Sequence, residues 1–319
     1  MIFSESSMFT PTVSVIVPNY NHAPYLRQRL DSIFNQSFQD FEVIILDDCS
    51  TDNSKDIIEE YRNRPQVSHV VYNKTNSGSP FKQWAKGFDL AQGEYIWIAE
   101  SDDWAELNFL EETVQRIKKN DVNLVFTNSF IVTPEKQTID INIQEDRVFN
   151  GRWLLRKKMI FQNFILNASA VLFKKETLKF IPKTYQSFKS SGDWLFWIEF
   201  CLVGDVYFCS KTLNYNNRHG KNTTALWGRN MSSGTASLEN CKIFRYLRNN
   251  KIIPFFHRID IVLTNLKWID ENRLNFDSTL CYNTARKHWR NEIYSESLSK
   301  IIRFFGFHLY YVLKFLHLR

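Results

Sequence analysis

Four short apolar runs recur along the first hundred residues, and each gives way to a polar or acidic turn and then to a helical pattern. Val13–Val17 ends at Pro18-Asn19-Tyr20-Asn21, and Glu42–Leu46 ends at Asp47-Asp48-Cys49-Ser50-Thr51-Asp52. Val67–Tyr72 ends at Asn73–Gly78, and Tyr95–Ala99 ends at Glu100-Ser101-Asp102-Asp103. Between these runs Leu26, Leu30, Ile33 and Phe34, then Ile57, Ile58 and Tyr61, recur at helical spacing, and Phe81–Ala91 reads as a third helix. Strands alternating with helices at about 30-residue intervals form βαβ units, and such units build a parallel sheet. Right-handed crossovers then bring all strand C-terminal ends to one edge. Asn19-Tyr20, Asp47-Asp48, Asn76–Gly78 and Asp102-Asp103 are therefore expected to converge where open α/β sheets bind ligands.

That edge lacks the Gly-x-Gly-x-x-Gly of dinucleotide folds and the Gly-Lys-Ser/Thr of a P-loop. A tyrosine and acids stand there instead. They suit a base stacked on Tyr20, with phosphates held through a cation bridged to carboxylates. Asp102 and Asp103 are expected just ahead of a helix over Glu106–Lys119, with Leu107, Leu110, Val114 and Ile117 inward. Helix capping and metal or ligand binding are therefore equally open for them from these residues alone. Gly93 is expected to close the preceding helix at its C′ position. Further on, Val122–Phe126, Ala168–Phe173 and Asp205–Phe208 read as strands, and Asp193 opens an aromatic helix. Asn214–Thr224 reads as a polar loop.

At 319 residues, 44% hydrophobic and 23% charged, the chain has room for one large domain or a domain with an appendage. Its net charge of +6 is uneven: residues 240–319 hold 14 Lys or Arg against 6 Asp or Glu, so the preceding 239 sum to −2. A basic tail implies an anionic surface. No Lys/Arg block or nucleic-acid motif is present, so no nucleic-acid partner is expected. In residues 299–319, Lys300, Arg303, Lys314 and His317 fall within about a 100° arc of a helix otherwise largely apolar, which suits an anionic membrane surface. Docking of that helix on the domain or on a second subunit is the alternative. The five scattered cysteines show no Cys-x-x-Cys, which argues for thiols in a reducing compartment rather than disulfides or zinc. With no secretory signal pattern and no spanning apolar stretch, the expectation is cytoplasmic, peripheral to the membrane through the tail.

Three of these stretches together, Val13 through Asn21, Asp47 through Asp52, and Gly93 through Asp103, resemble the nucleotide-sugar half of family 2 glycosyltransferases, inverting enzymes of the GT-A fold. Ser191-Gly192-Asp193-Trp194 and Arg218-His219 are similar to that family's acceptor-side motifs. The resemblance covers roughly residues 12–224. It implies an α/β fold with a single, mostly parallel sheet flanked by helices. The expected GT-A domain spans 1–239, with a nucleotide-sugar half at about 12–127 and an acceptor half at about 128–239. A basic helical region follows over 240–319.

By that resemblance Tyr20 stacks on a base, usually uracil, in a pocket made by Pro18 to Asn21. Asp48, with Asp47 beside it, accepts from the base or ribose. Asn76 and Gly78 shape the adjoining loop, and Lys82 reaches toward phosphate, although a solvated helix-face lysine fits equally. Asp102 contacts the ribose or a metal-bound water, Asp103 and His219 bind the divalent cation, and Arg218 clamps phosphate. Oxygen ligands and a diphosphate suit Mg²⁺ or Mn²⁺, and an imidazole tilts the choice toward Mn²⁺. Glu100 stands where the family has Asp, which leaves its role open. Asp193 is the implied general base, and its place at a helix start fits a plain N-cap as well.

The implied reaction is metal-dependent, inverting transfer from a nucleotide-sugar, UDP-linked by expectation, to a hydroxyl of a glycan or lipid-linked glycan in surface-polysaccharide assembly. Two other readings stay open. A sugar-phosphate nucleotidyltransferase expects a Gly-rich basic first loop, which Pro18–Asn21 is not. A non-catalytic nucleotide-sugar-binding module would not need Asp103, Asp193 and His219 together. Homo-oligomerisation is left open.

Overall fold

The structure, a computed structural model, describes residues 10–139, 143–219 and 230–293. The chain divides into two compact units, Met1–Leu155 with Phe164–Asn222, and Arg156–Asn163 with Thr223–Arg319. The first begins with β1 (Val13–Asn19), α1 (Ala23–Phe34), β2 (Phe41–Asp47), α2 (Ser54–Tyr61), β3 (Val67–Tyr72), α3 (Pro80–Leu90) and β4 (Tyr95–Ile98). It continues with β5 (Trp104–Ala105), α4 (Phe109–Asn120), β6 (Leu124–Val132), β7 (Gln137–Ile139), β8 (Arg147–Phe149) and a single turn, α5 (Gly151–Leu154). β9 (Val171–Lys174), α6 (Gly192–Val203) and β10 (Val206–Asn217) complete it.

One sheet runs in the order β3-β2-β1-β4-β9-β6-β10-β5, with β7 on β6 and β8 on β10. The four expected strands pair in parallel, β1 between β2 and β4, and β3 on the outer side of β2. β1 and β2 are buried at every position, which is why they read as unbroken apolar runs. β3, at the edge, carries Ser68 and His69 and is only partly buried. β9 enters antiparallel between β4 and β6, so the sheet is mixed.

Helices cover both faces. Leu26, Leu30 and Ile33 of α1 join Phe109, Leu110 and Ile117 of α4 in a core with Val13, Val15, Tyr95 and Trp97. On the opposite face Gly87 of α3 sits so close to Ile16 that an added methyl would lie 2.4 Å from its Cγ2. Phe88 of α3 stacks on Phe196 of α6, and both rings meet Phe173 of β9. α6 is apolar nearly all round, as a helix within a core must be.

Several local expectations change. The helix expected from Glu106 starts at Phe109, and Leu107 is 55% exposed because it precedes the helix instead of lying on its inner face. Ala168–Ala170 forms a 3-10 turn ahead of β9. Asn214–Asn217, expected in a loop, continues β10, because that strand pairs with β6 through two register shifts as far as Val132. Gly93 is not a left-handed helix cap, since Ala91 already leaves α3 in an extended conformation. Its N–H donates to Ser14 Oγ, and an added methyl would lie 2.6 Å from Ser14 N and 2.7 Å from Val13 C.

The second unit contains α7 (Thr235–Asn249), α8 (Phe255–Glu271) and α9 (Thr279–Ile293). Trp289 is buried against Phe244 and donates to Ser237, while Glu292 holds Arg245 and Arg248. Residues 299–319, expected on a membrane surface, lie outside the described residues. Among the described residues no helix is long and apolar enough to cross a membrane.

Because the two nearest atoms meeting Gly93 are backbone, Gly93→Ala is expected to lower stability by about 2 kcal/mol. A urea midpoint equal to wild type would show that the β1 and β4 starts are free to separate.

Candidate functional site

β1 and β4 stay in register from Val13↔Tyr95 to Ile16↔Ile98, and Ala99 N still donates to Ile16 O at 2.8 Å. Two residues on, Pro18 faces the same side and has no N–H to offer, so nothing holds β4 to β1 there. β1 continues alongside β2 to Asn19↔Asp47. The chain runs outward through β2 and β3 and returns across β1 to β4, so the crevice between the ends of β1 and β4 is the sheet's switch point.

On one side of it lie the expected nucleotide residues. Tyr20 is 46% exposed at the end of β1. Asn21 adopts φ 55°, and its Oδ1 accepts from Thr51 N at 2.7 Å. Asp47 and Asp48 are buried and shape turns. Asp47 accepts from Asn19 Nδ2 and Ser50 N, at 2.8 and 2.9 Å. Asp48 accepts from Asn73 Nδ2, Gln83 Nε2, Ser77 N and Ser77 Oγ. Neither caps α2, which starts at Ser54 with Asp52 accepting from Ser54 N. Asn76 Oδ1 accepts from Gly78 N at 2.7 Å, and Gly78 needs its φ of +74° to close that turn. Lys82 is exposed and donates to Ser77 O at 3.0 Å, which places its ammonium on the loop.

On the other side the Glu100–Asp103 turn caps no helix, since α4 begins beyond Asn108. Instead β5 pairs antiparallel with β10 through Trp104↔Tyr215, and the two rings stack at 5.0 Å. That pairing draws the end of β10 over the acidic turn. Asn217 N reaches Asp103 Oδ1 at 3.0 Å, and His219 Nε2 lies 3.2 Å from Asp102 Oδ2. His219 thus meets Asp102 and not Asp103, whose second oxygen accepts from Asn167 Nδ2 at 2.9 Å. From the end of β1, His22 closes the crevice, with Nδ1 2.8 Å from Ser101 Oγ and 4.0 Å from Asp102 Oδ1. Ligand atoms of His22, Asp102 and His219 all lie within 4.8 Å of one another. Tyr25 stacks on His219 at 4.1 Å.

Asp193, half-buried, is the second residue of α6. Gly192 beside it abuts Phe81, at the start of α3. Trp84 of α3 meets Phe196 and Trp197 of α6 and donates from Nε1 to Glu100 Oε1 at 2.8 Å. α6 is thus tied to the acidic turn through one indole. Arg218 donates its backbone N–H to Val132 O at 2.7 Å, and its Nε is buried without a hydrogen-bond partner.

His22, Tyr25, Trp84, Asn167 and Arg29 went unnoticed in the sequence. Only His22 carried a usable signal: the switch-point argument makes the residues directly after β1 and β4 face each other. Arg29 lies fully buried in α1 with its guanidinium carbon 4.6 Å from the Trp97 ring centroid. Burial pulls it down to about 10, against the charges of Asp103, Glu100 and Asp102.

Charge crowding governs the electrostatics. Glu100 is partly exposed as a residue, yet its carboxylate turns inward; burial first, then the Asp102 charge, push it up to about 8. Asp103 is raised by the same two causes in the same order. His22 is lowered, by burial ahead of its neighbours' charges. Such a site favours an added positive charge.

A mixed α/β sheet with an acidic, imidazole-bearing crevice at its switch point is the GT-A architecture. The profile "Glycosyl transferase family 2" matches residues 14–188, and the chain belongs to that family. It is 34% identical over 142 residues to the putative teichuronic acid biosynthesis glycosyltransferase TuaG of Bacillus subtilis, covering 41% of this chain and 56% of that protein. It is 38% identical over 109 residues to the poly(ribitol-phosphate) beta-N-acetylglucosaminyltransferase TarS of Staphylococcus aureus, covering 34% and 19%. The matched stretch therefore spans at most 56% of these relatives. The fold resembles TarS 1-349 in complex with UDP-GlcNAc, with TM-score 0.58, 23% identity, and 93% of this chain and 75% of that one covered. It also resembles the Pyrobaculum calidifontis mannosyltransferase PcManGT in complex with GDP-Man and Mn2+, with TM-score 0.57, 16% identity, and 94% and 89% covered.

Glu100's folded value exceeds its unfolded 4.5, so its contribution to stability is greatest below 4.5 and is lost as pH rises through about 8. His22 has the opposite sign but acts only below 6.5. Between those limits the metal-free protein is expected to lose about 2 kcal/mol as pH rises, the value of one proton over that window. Urea unfolding in EDTA at both ends checks this. Glu100→Gln should flatten the difference, and an equally steep loss in that variant would assign it to another group.

Proposed function

We propose that the chain transfers a sugar from a nucleoside-diphosphate donor, UDP-linked, to a hydroxyl of a glycan or lipid-linked glycan, with inversion and with a divalent cation, in the building of a surface polysaccharide. The observation that carries this is the meeting of Asp102, His219 and His22 in a crevice flanked by the exposed Tyr20. The names of TuaG and TarS support the polymer, and the UDP-GlcNAc and GDP-Man complexes support the donor class.

The donor set fits a divalent ion. One carboxylate and two imidazoles within 4.8 Å suit Mn²⁺ better than Mg²⁺, and the raised neighbouring carboxyls mark a surplus of negative charge. In this reading Asp102, His219 and His22 hold the ion, while Asp103, fixed by Asn167 and Asn217, supports from beneath. When bound, a divalent ion would supply positive charge to the departing diphosphate. Tyr20 presents its ring to the base. The turns built by Asp47 and Asp48 set the pocket's floor, and Arg218 stands beside His219 for phosphate. Asp193 takes the acceptor hydroxyl's proton as the new bond forms.

Slow hydrolysis of UDP-, GDP- and dTDP-sugars, followed by nucleotide release, is expected with UDP-sugars and Mn²⁺ and to vanish in EDTA. Turnover of only GDP- or dTDP-sugars overturns the UDP assignment. Asp193→Asn is expected to cut transfer about 10²–10⁴-fold with UDP affinity unchanged. Normal transfer by that variant removes Asp193 from the role of base.

A further inference from the structure

Arg29 has no exposed surface, and Nε and both terminal nitrogens lack any hydrogen-bond partner. Its guanidinium lies over the face of Trp97, whose Nε1 donates to Ser169 O at 2.8 Å. A side chain kept for packing, among Leu26, Leu30 and Ile33 of the same helix, would serve better as leucine or methionine, because burying an unpaired charge is costly. A side chain kept as hydrogen-bonding glue would have partners. What offsets its burial is the cation–π contact and the field of Asp103, Glu100 and Asp102.

We propose that Arg29, whose carbonyl accepts from Ser32 Oγ at 2.8 Å while that hydroxyl accepts from Ala105 N at 3.4 Å just past the acidic turn, is a positioning residue acting by charge: a fixed internal cation close to the turn that sets how much positive charge the crevice still accepts. The guanidinium cancels part of the turn's negative charge, so the crevice offers a cation less than its carboxylates would alone. Without the guanidinium the turn would be more negative and would hold a bare ion more tightly than turnover of a metal–diphosphate complex requires. The effect is through space, since no hydrogen bond links Arg29 to any of the three acids.

The inference rests on the metal reading above, and titration of nucleotide-free protein with Mn²⁺ alone separates the two. In Arg29→Met, which keeps the stem over Trp97, Mn²⁺ is expected to bind about tenfold tighter, because a nearby like charge has gone. A merely structural role predicts the reverse, since a disturbed site binds metal less well. Equal or weaker binding in R29M overturns the inference. Arg29→Lys keeps the charge and is expected within about twofold of wild type. A tenfold change in that variant also overturns it, whether or not R29M folds. Wild-type protein with no Mn²⁺ binding that Asp102→Asn abolishes would sink the metal reading itself, and this inference with it.

Discussion

Like charges crowded away from water are the constraint around which this site is built. Glu100, Asp102 and Asp103 fall within four consecutive positions, and the two aspartates are buried. In a medium of low effective dielectric their mutual repulsion is several-fold stronger than at a surface. Each neighbour has a part in offsetting it. Asn167 and Asn217 N hydrogen-bond Asp103, the Trp84 indole holds Glu100, His219 pairs with Asp102, and the buried Arg29 charge acts on all three. None of these partners is adjacent in sequence to the turn it serves, so the turn is stable only once the sheet has closed around it.

The sheet can close that way because of where β1 and β4 stop pairing. Pro18 cannot extend the ladder on the β4 side, and β4 ends at Ile98 just where its own chain turns acidic. The opening places His22 and Ser101 opposite each other. At the far end, the two-residue strand β5 catches Tyr215 and fixes the direction in which β10 leaves the sheet. A histidine two residues past that strand then has one place to go.

The first half of the fold was legible because β1, β2 and β4 are buried throughout and the turns are rich in Gly, Asn and Asp, so pattern and environment agree. Legibility failed where tertiary pairing decides. β10 runs through Asn214–Asn217 because β6 and β5 satisfy its backbone there, although its residues have the composition of a loop. Gly93 looked like a cap and is a point of close backbone approach. Among site residues, those at strand ends could be placed by topology alone. Arg29 could not: on a helix whose other inward positions are mostly apolar, a lone arginine reads as solvent-facing, and it takes the Trp97 ring and the acids after β4 to explain its burial.

The departure at Glu100 then gains a physical sense. An aspartate there has one methylene less, so its carboxylate would stop short of the Trp84 indole that Glu100 reaches at 2.8 Å. The same indole packs on Phe196 and Trp197, one turn along α6 from Asp193. Lengthening one acid therefore links the turn after β4 to the helix that carries the expected base. With Glu100 spent on that link, the ligand atoms within 4.8 Å of one another are those of Asp102 and the two histidines, a set richer in nitrogen than a run of carboxylates would provide. The replacement that weakens the match to the family's acidic motif is thus the one that joins the two halves of this site.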